Sequence, residues 1–166
     1  MAYELCLCGN ETFCLYRNYH SKLSHCLEKP GIGNRSHQEA TRSWWDTSRP
    51  KFDIFISALL LDEASSGDSA AAQRRMEIIR EIPALDVSIL AEELAAHLLA
   101  ASALPEKAKA DALHIAIATV HGIDYLLTWN CKHIANATKR LKIESICRSS
   151  GYEPSIICTP LELMDD

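Results

Sequence analysis

The sequence predicts an α/β fold in which a short parallel sheet is covered on both faces by helices. Two observations lead there. Four short apolar runs, FDIFIS (52–57), ALDVS (84–88), DYLLTW (124–129) and PSIIC (154–158), have strand length and strand composition. Between them stand longer segments with helix start and stop signals, and strands that alternate with helices build parallel sheets buried on both faces.

Taken in order, the first forty or so residues show neither helical nor strand periodicity, and are rich in Cys, His, Asn, Ser and Gly. The character changes at Gln38, so residues 1–37 are expected to be irregular and residues 38–166 to form the domain. QEATRSWWDTSR reads as a helix with Trp44 and Trp45 on its core side. FDIFIS is a buried strand feeding the helix SALLLDEASS. GDSAAAQRRMEIIREI is amphipathic through Met76, Ile79 and Ile82, opens on Asp68 and Ser69, and stops at Pro83. After the strand ALDVS comes the helix ILAEELAAHLLAASAL, stopped before Pro105. PEKAKADALHIAIATVHG follows, with Pro105 expected in its first turn and Gly122 as its stop. DYLLTW is the clearest strand, CKHIANATKRLKIESICRSSG gives one or two helices, and PSIIC is the last strand.

At 166 residues the chain is long enough to bury the core of one domain. No apolar run is long enough to span a bilayer, and the N-terminus lacks a secretory signal pattern, so no membrane association and a cytoplasmic location are expected. A net charge of -5 argues against a generally basic nucleic-acid binder, but is compatible with one that meets phosphate through a metal ion.

Seven cysteines invite a metal reading. Cys6, Cys8, Cys14 and Cys26 lie in the opening segment with His20 and His25, yet their spacing is poor for zinc and no second compact ligand pair follows. Cys131, Cys147 and Cys158 stand singly, as small core hydrophobes do.

In a parallel sheet, functional groups collect beyond the carboxyl ends of the strands. Glu63 follows FDIFIS by one or two helical turns, Asp111 sits near the head of an otherwise apolar helix, and Asn130 follows DYLLTW. His114 shares the helical face of Asp111. Two carboxylates and an amide in one crevice are expensive to desolvate unless they share a cation. Each residue also has a plainer reading. Asp111 is a candidate for favouring a helix N-terminus, although Pro105 places that start one to two turns earlier. Glu63 and its neighbour Asp62 are candidates for solvated acids, Asn130 for a helix cap, and His114 for a core histidine. Their joint placement favours the site.

ISALLLDEASSGD, ADALHIAIA and DYLLTWNCKHIANA together resemble PIN-domain proteins of the VapC toxin type, in the branch whose last motif reads LLTWN. The resemblance covers residues 38 to 166. It implies a PIN-like three-layer α/β nuclease whose acids bind Mg²⁺ or Mn²⁺ and hydrolyse RNA. By motif position Glu63 resembles the family's second acid and Asp111 its third, the two expected metal ligands. Asn130 stands where many members have a fourth acid, and Thr128 resembles the small polar residue before it. Lys132, Lys139 and Arg140, with Lys142, are candidates for contacts to backbone phosphates, their plainer reading being a solvated helix face. The resemblance also implies a small antitoxin partner and a homodimer.

The family has a first acid on a first strand, in a segment resembling YIETSIPSY, and that strand is missing or altered here. FCLYRNYHSKLSH, read one nucleotide later with permitted codons, becomes FVYIETIIPSYLT. Residues from about Phe13 to Ser36 are therefore expected to be out of frame, through a mutation or an error of sequencing, the missing Glu spanning the codons of Arg17 and Asn18. A chain without it is expected to be an impaired ribonuclease. Rival readings are a degenerate PIN module that binds RNA or protein without cleavage, and a zinc-stabilised regulator built on the N-terminal Cys and His residues.

Overall fold

The computed structural model describes residues 14–17 and 34–164. Cys6, Cys8, Cys26, His20 and His25, and with them the zinc reading, lie outside the described residues. In chain order the elements are β1 (Cys14–Arg17), α1 (Asn34–Thr47), a 3₁₀ turn (Arg49–Lys51), β2 (Asp53–Ser57), α2 (Ala58–Ser65) and α3 (Ser69–Ile79). They continue with β3 (Ala84–Leu85), α4 (Ile89–Ala100), α5 (Lys109–Val120), β4 (Tyr125–Leu127), α6 (Ala137–Ser149), β5 (Ile156–Cys158) and a closing 3₁₀ turn (Pro160–Leu163).

The five strands form one sheet in the order β3-β2-β1-β4-β5. The outer pairs, β2 with β3 and β4 with β5, are parallel, as the alternation of strands and helices predicts. The centre differs from expectation. The opening segment carries no strand period, yet β1 fills the middle of the sheet and runs antiparallel to both neighbours, Leu15 opposite Phe55 on one side and Leu126 on the other. Its four residues are too few for a period to stand out among polar neighbours. The irregular segment expected up to residue 37 also ends sooner, for α1 begins at Asn34, so the boundary at Gln38 falls inside a helix.

Alternation along each strand sorts side chains to two faces. Leu126 and Ile157 face a core built with α4, α5 and α6, through Leu94, Leu98, Ala112, Ile115 and Cys147. Tyr125, Leu127 and Cys158 face the other way, with Ile54, towards fully buried Trp44 and Leu163. Trp45 is only half-buried beside Trp44. A third group, Ile56, Leu60, Ala64 and Ile79, with Met76 and Ile82 against it, packs α2 onto α3. Cys147 and Cys158 are buried, as small hydrophobes are, whereas Cys131 is exposed because it opens a surface turn after β4.

Two element ends bear on the site. α2 starts on Ser57, whose hydroxyl accepts from the Leu60 N–H at 3.1 Å. α5 starts at Lys109 and not at Pro105, because residues 105–108 close a separate turn, Ala108 N–H to Pro105 C=O at 2.8 Å. Gly122 ends α5 at φ 65°, where the N–H of Ile123 returns to the Ala118 carbonyl and that of Gly122 to Thr119, a Schellman closure that needs a left-handed residue.

Candidate active site

Because α5 starts at Lys109, Asp111 belongs to its first turn, where a carboxylate favours the exposed N–H groups. The objection drawn from Pro105 is thereby removed, and the plain role at the helix start stands. Asn130 is carried just beyond β4 and is buried. Its Nδ2 donates to Asp111 Oδ1 at 3.0 Å, and its Oδ1 accepts from the His133 N–H at 2.9 Å. Asn130 thus caps the turn that follows it and grips Asp111 at the same time. Thr128 is buried, and its Oγ1 accepts from the Asn130 N–H at 2.9 Å, so it sets the backbone that aims Asn130.

Glu63 reaches the same place from α2. Its Oε2 stands 3.4 Å from Nε2 of His114, which is fully buried on α5 three residues after Asp111. On the other side of the ring, His114 Nδ1 lies 3.2 Å from the Ser57 hydroxyl. Burial pushes the Asp111 carboxyl above its usual range; His133, the Asn130 hydrogen bond and His114 oppose that shift, and the charge of Glu63 adds to it. Glu63 is thus among the charges that act on Asp111. Glu63, Asp111, His114 and Asn130 converge, drawn from α2, α5 and the end of β4.

Basic groups rim this site. His133 is pushed below its ordinary range by burial, against the pull of Asp111, and Lys139, Lys132 and Lys107 push the same way as burial. Lys139 Nζ lies 3.5 Å from His133 Nδ1. Lys132 and Lys139 are thus brought to the rim, whereas Arg140 and Lys142 lie further along α6 with no described contact to it. His133, Lys107 and Ser57 are the residues that sequence reasoning passed over. Ser57 alone left a signal, a serine at a strand end where a helix starts.

Residues 31–135 match the family model described as PIN domain. The chain belongs to the PIN-domain family. PIN domains are a superfamily of nucleases, they bind RNA, and they usually use divalent metal ions. The matched stretch carries Glu63, Asp111, His114, Thr128 and Asn130, and ends before α6. No curated protein and no solved structure matches the chain. Among the described residues no helix is long and apolar enough to cross a membrane.

The PIN domain's donor set can be tested against a metal ion. Among the described residues no group of three or more His, Cys, Asp or Glu side chains could hold one, so a closed four-ligand site of zinc type does not fit. Mg²⁺ makes smaller demands, being held through one or two carboxylates while it keeps several waters. Asp111 and Glu63, two repelling carboxylates from separate helices, fit that requirement. Asn130, with both ends of its amide engaged, holds Asp111.

Proposed function

We propose that this PIN domain is a divalent-metal-dependent endoribonuclease of the VapC toxin type. The observation that carries the reading is the meeting of Asp111, gripped by Asn130, with Glu63, held against His114, at the carboxyl ends of β2 and β4. Asp111 and Glu63 are the metal ligands, for Mg²⁺ or Mn²⁺. When bound, the ion supplies charge neutralisation at the phosphoryl oxygens and lowers the pKa of a water. Asn130 orients Asp111, Thr128 orients Asn130, and His114 orients Glu63. Lys132 and Lys139 on the rim bind backbone phosphates flanking the scissile bond, with Arg140 extending the track along α6. In this reading the protein acts in the cytoplasm, is neutralised by a small antitoxin, and pairs with a second copy; the exposed Val87, Ile89 and Leu90 at the head of α4 support an apolar contact of that kind.

The first acid is supplied, in this proposal, by a reading frame shifted across residues 13 to 36. Two features support it. β1 occupies the residues that the shifted frame reads as VYIE, and as it stands it runs against the direction shared by the outer strand pairs. The chain as it stands is accordingly an impaired nuclease.

A second reading, a PIN module that binds RNA or protein without cutting, is favoured by the lack of a third acidic ligand among the described residues. Cleavage of single-stranded RNA separates the two. Cutting that requires Mn²⁺ or Mg²⁺, stops in EDTA and is abolished in Asp111→Asn establishes the nuclease; RNA binding with no cutting under any of these conditions establishes the module.

A further inference from the structure

Ser57 is fully buried, its hydroxyl oxygen accepts from the Leu60 N–H, and the same oxygen lies 3.2 Å from His114 Nδ1. A serine hydroxyl has one hydrogen to give and two lone pairs. With one lone pair taken by Leu60, either its hydrogen is directed to Nδ1 or its second lone pair accepts an Nδ1–H. For a neutral ring, the opposite edge decides between these. Nε2 stands 3.4 Å from a Glu63 carboxylate oxygen, a contact longer than an ordinary N–H···O bond. A bare nitrogen lone pair turned to that negative oxygen is repelled by it, whereas an Nε2–H is attracted.

We infer that Ser57 is a positioning residue for the metal site: by donating to His114 Nδ1 it places the ring proton on Nε2, where it attracts Glu63 Oε2 across 3.4 Å. The chain Leu60 N–H to Ser57 to His114 to Glu63 begins and ends on α2, so the helix that carries the acid also sets its orientation. Partners of this kind behind a ligand typically govern metal affinity by about 10- to 100-fold. The inference rests on the metal-site reading above for its effect on affinity, but the position of the proton does not.

The test uses metal-free full-length protein labelled with ¹⁵N at histidine, then Mn²⁺ titration. In the wild type, Nδ1 of His114 should carry the shift of an unprotonated ring nitrogen and Nε2 that of a protonated one. Ser57→Gly, which removes the hydroxyl and is better tolerated than Ala as a helix N-cap, should lose that preference and bind Mn²⁺ about tenfold more weakly. Ser57→Ala should do the same with a lower Tm. Ser88→Ala removes the equivalent cap of α4, where the Ser88 hydroxyl accepts from the Ala91 N–H at 3.2 Å, and should lower Tm without changing Mn²⁺ affinity. A wild-type His114 that carries a proton on Nδ1, alone or together with one on Nε2, overturns the inference, as does unchanged Mn²⁺ affinity in folded Ser57→Gly. Wild-type protein that binds no Mn²⁺ overturns the metal-site reading instead, and the nitrogen shifts then decide the role of Ser57 alone.

Discussion

Asn130 Nδ2 donates to Asp111 Oδ1 at 3.0 Å, tying the end of β4 to the first turn of α5. An amide at this position holds the acid without adding charge. A carboxylate there would repel it, and that difference governs how the site responds to substitution.

Asp111→Asn should abolish metal-dependent RNA cleavage while leaving the fold intact. The replacement keeps an oxygen for the Asn130 amide and removes a charge whose burial is unfavourable. We expect cleavage to fall by about a hundredfold or more, the scale set by removing a charged group from a hard-cation site. Tm at neutral pH should equal or exceed wild type by a few degrees, at about 2–4 °C per kcal/mol for a chain of this size. Gel-based cleavage assays and thermal melts check both.

The pH dependence of that Tm difference has a definite sign. The folded Asp111 carboxyl is raised above its usual value of 3.8, chiefly by burial. Its stabilising contribution is therefore complete below that value, where the acid is protonated in both states, and is lost as pH rises through the folded pKa. In EDTA, the excess of Asp111→Asn over wild type should be small at the acid end, widen with rising pH, and level off. A difference that narrows with rising pH would contradict a pKa raised by burial.

Asn130→Asp should lower stability in the absence of metal, since it replaces an N–H donor by a carboxylate facing Asp111. A hydrogen bond to a charged group is worth about 1.5–3 kcal/mol. Added Mn²⁺ should restore Tm more strongly in the variant than in wild type, because the extra acid is also an extra ligand. Melts with and without Mn²⁺ provide the check.

Lys132→Ala and Lys139→Ala should weaken RNA binding without changing its requirement for metal. For each phosphate of a single strand that is no longer neutralised by a lysine, the slope of log affinity against log salt becomes shallower by about 0.7. Arg140→Ala, further along α6, should have the smaller effect, as measured by filter binding over a salt series.

A chain carrying the one-nucleotide-shifted sequence in place of residues 13 to 36 should melt higher than the present chain and cut RNA faster with Mn²⁺. The gain in cutting should disappear when the restored acid is changed to Gln. Equal melting and equal activity for the two chains would remove the physical case for the shifted frame.

How much of the molecule is legible in its sequence follows from what each feature depends on. The strands of the parallel pairs and most helices announce themselves by local period and by caps, so FDIFIS, DYLLTW and PSIIC mark real strands, trimmed at both ends in DYLLTW and at the first residues alone in the other two. The joint placement of Glu63, Asp111 and Asn130 is legible because all three lie near strand or helix ends. The start of α5 is not, since a proline that can open a helix closes a turn just as well, and the choice is made by the bond from Ala108 to Pro105. Strand direction is also hidden, because β1 has only four residues and its partners lie far along the chain. Ser57 stays obscure for the same reason: it meets His114 across a long stretch of sequence, and no short pattern encodes such a meeting.

The central place of β1 has a kinetic consequence. β2 and β4 do not pair with each other, so the ladder joins its two parallel halves through Cys14–Arg17. Each half can form from nearby segments, whereas joining them needs Leu15 opposite both Phe55 and Leu126, the latter a closure over most of the chain. Such distant closures cost the most chain entropy and tend to form late. The inserted strand should therefore be the last step in completing the sheet, after Ile54 has packed with Tyr125, Leu127 and Cys158. In native-state hydrogen exchange, amides of β1 should open at lower free energy than those of β4, while the two flanks, joined through that core, keep a common protection.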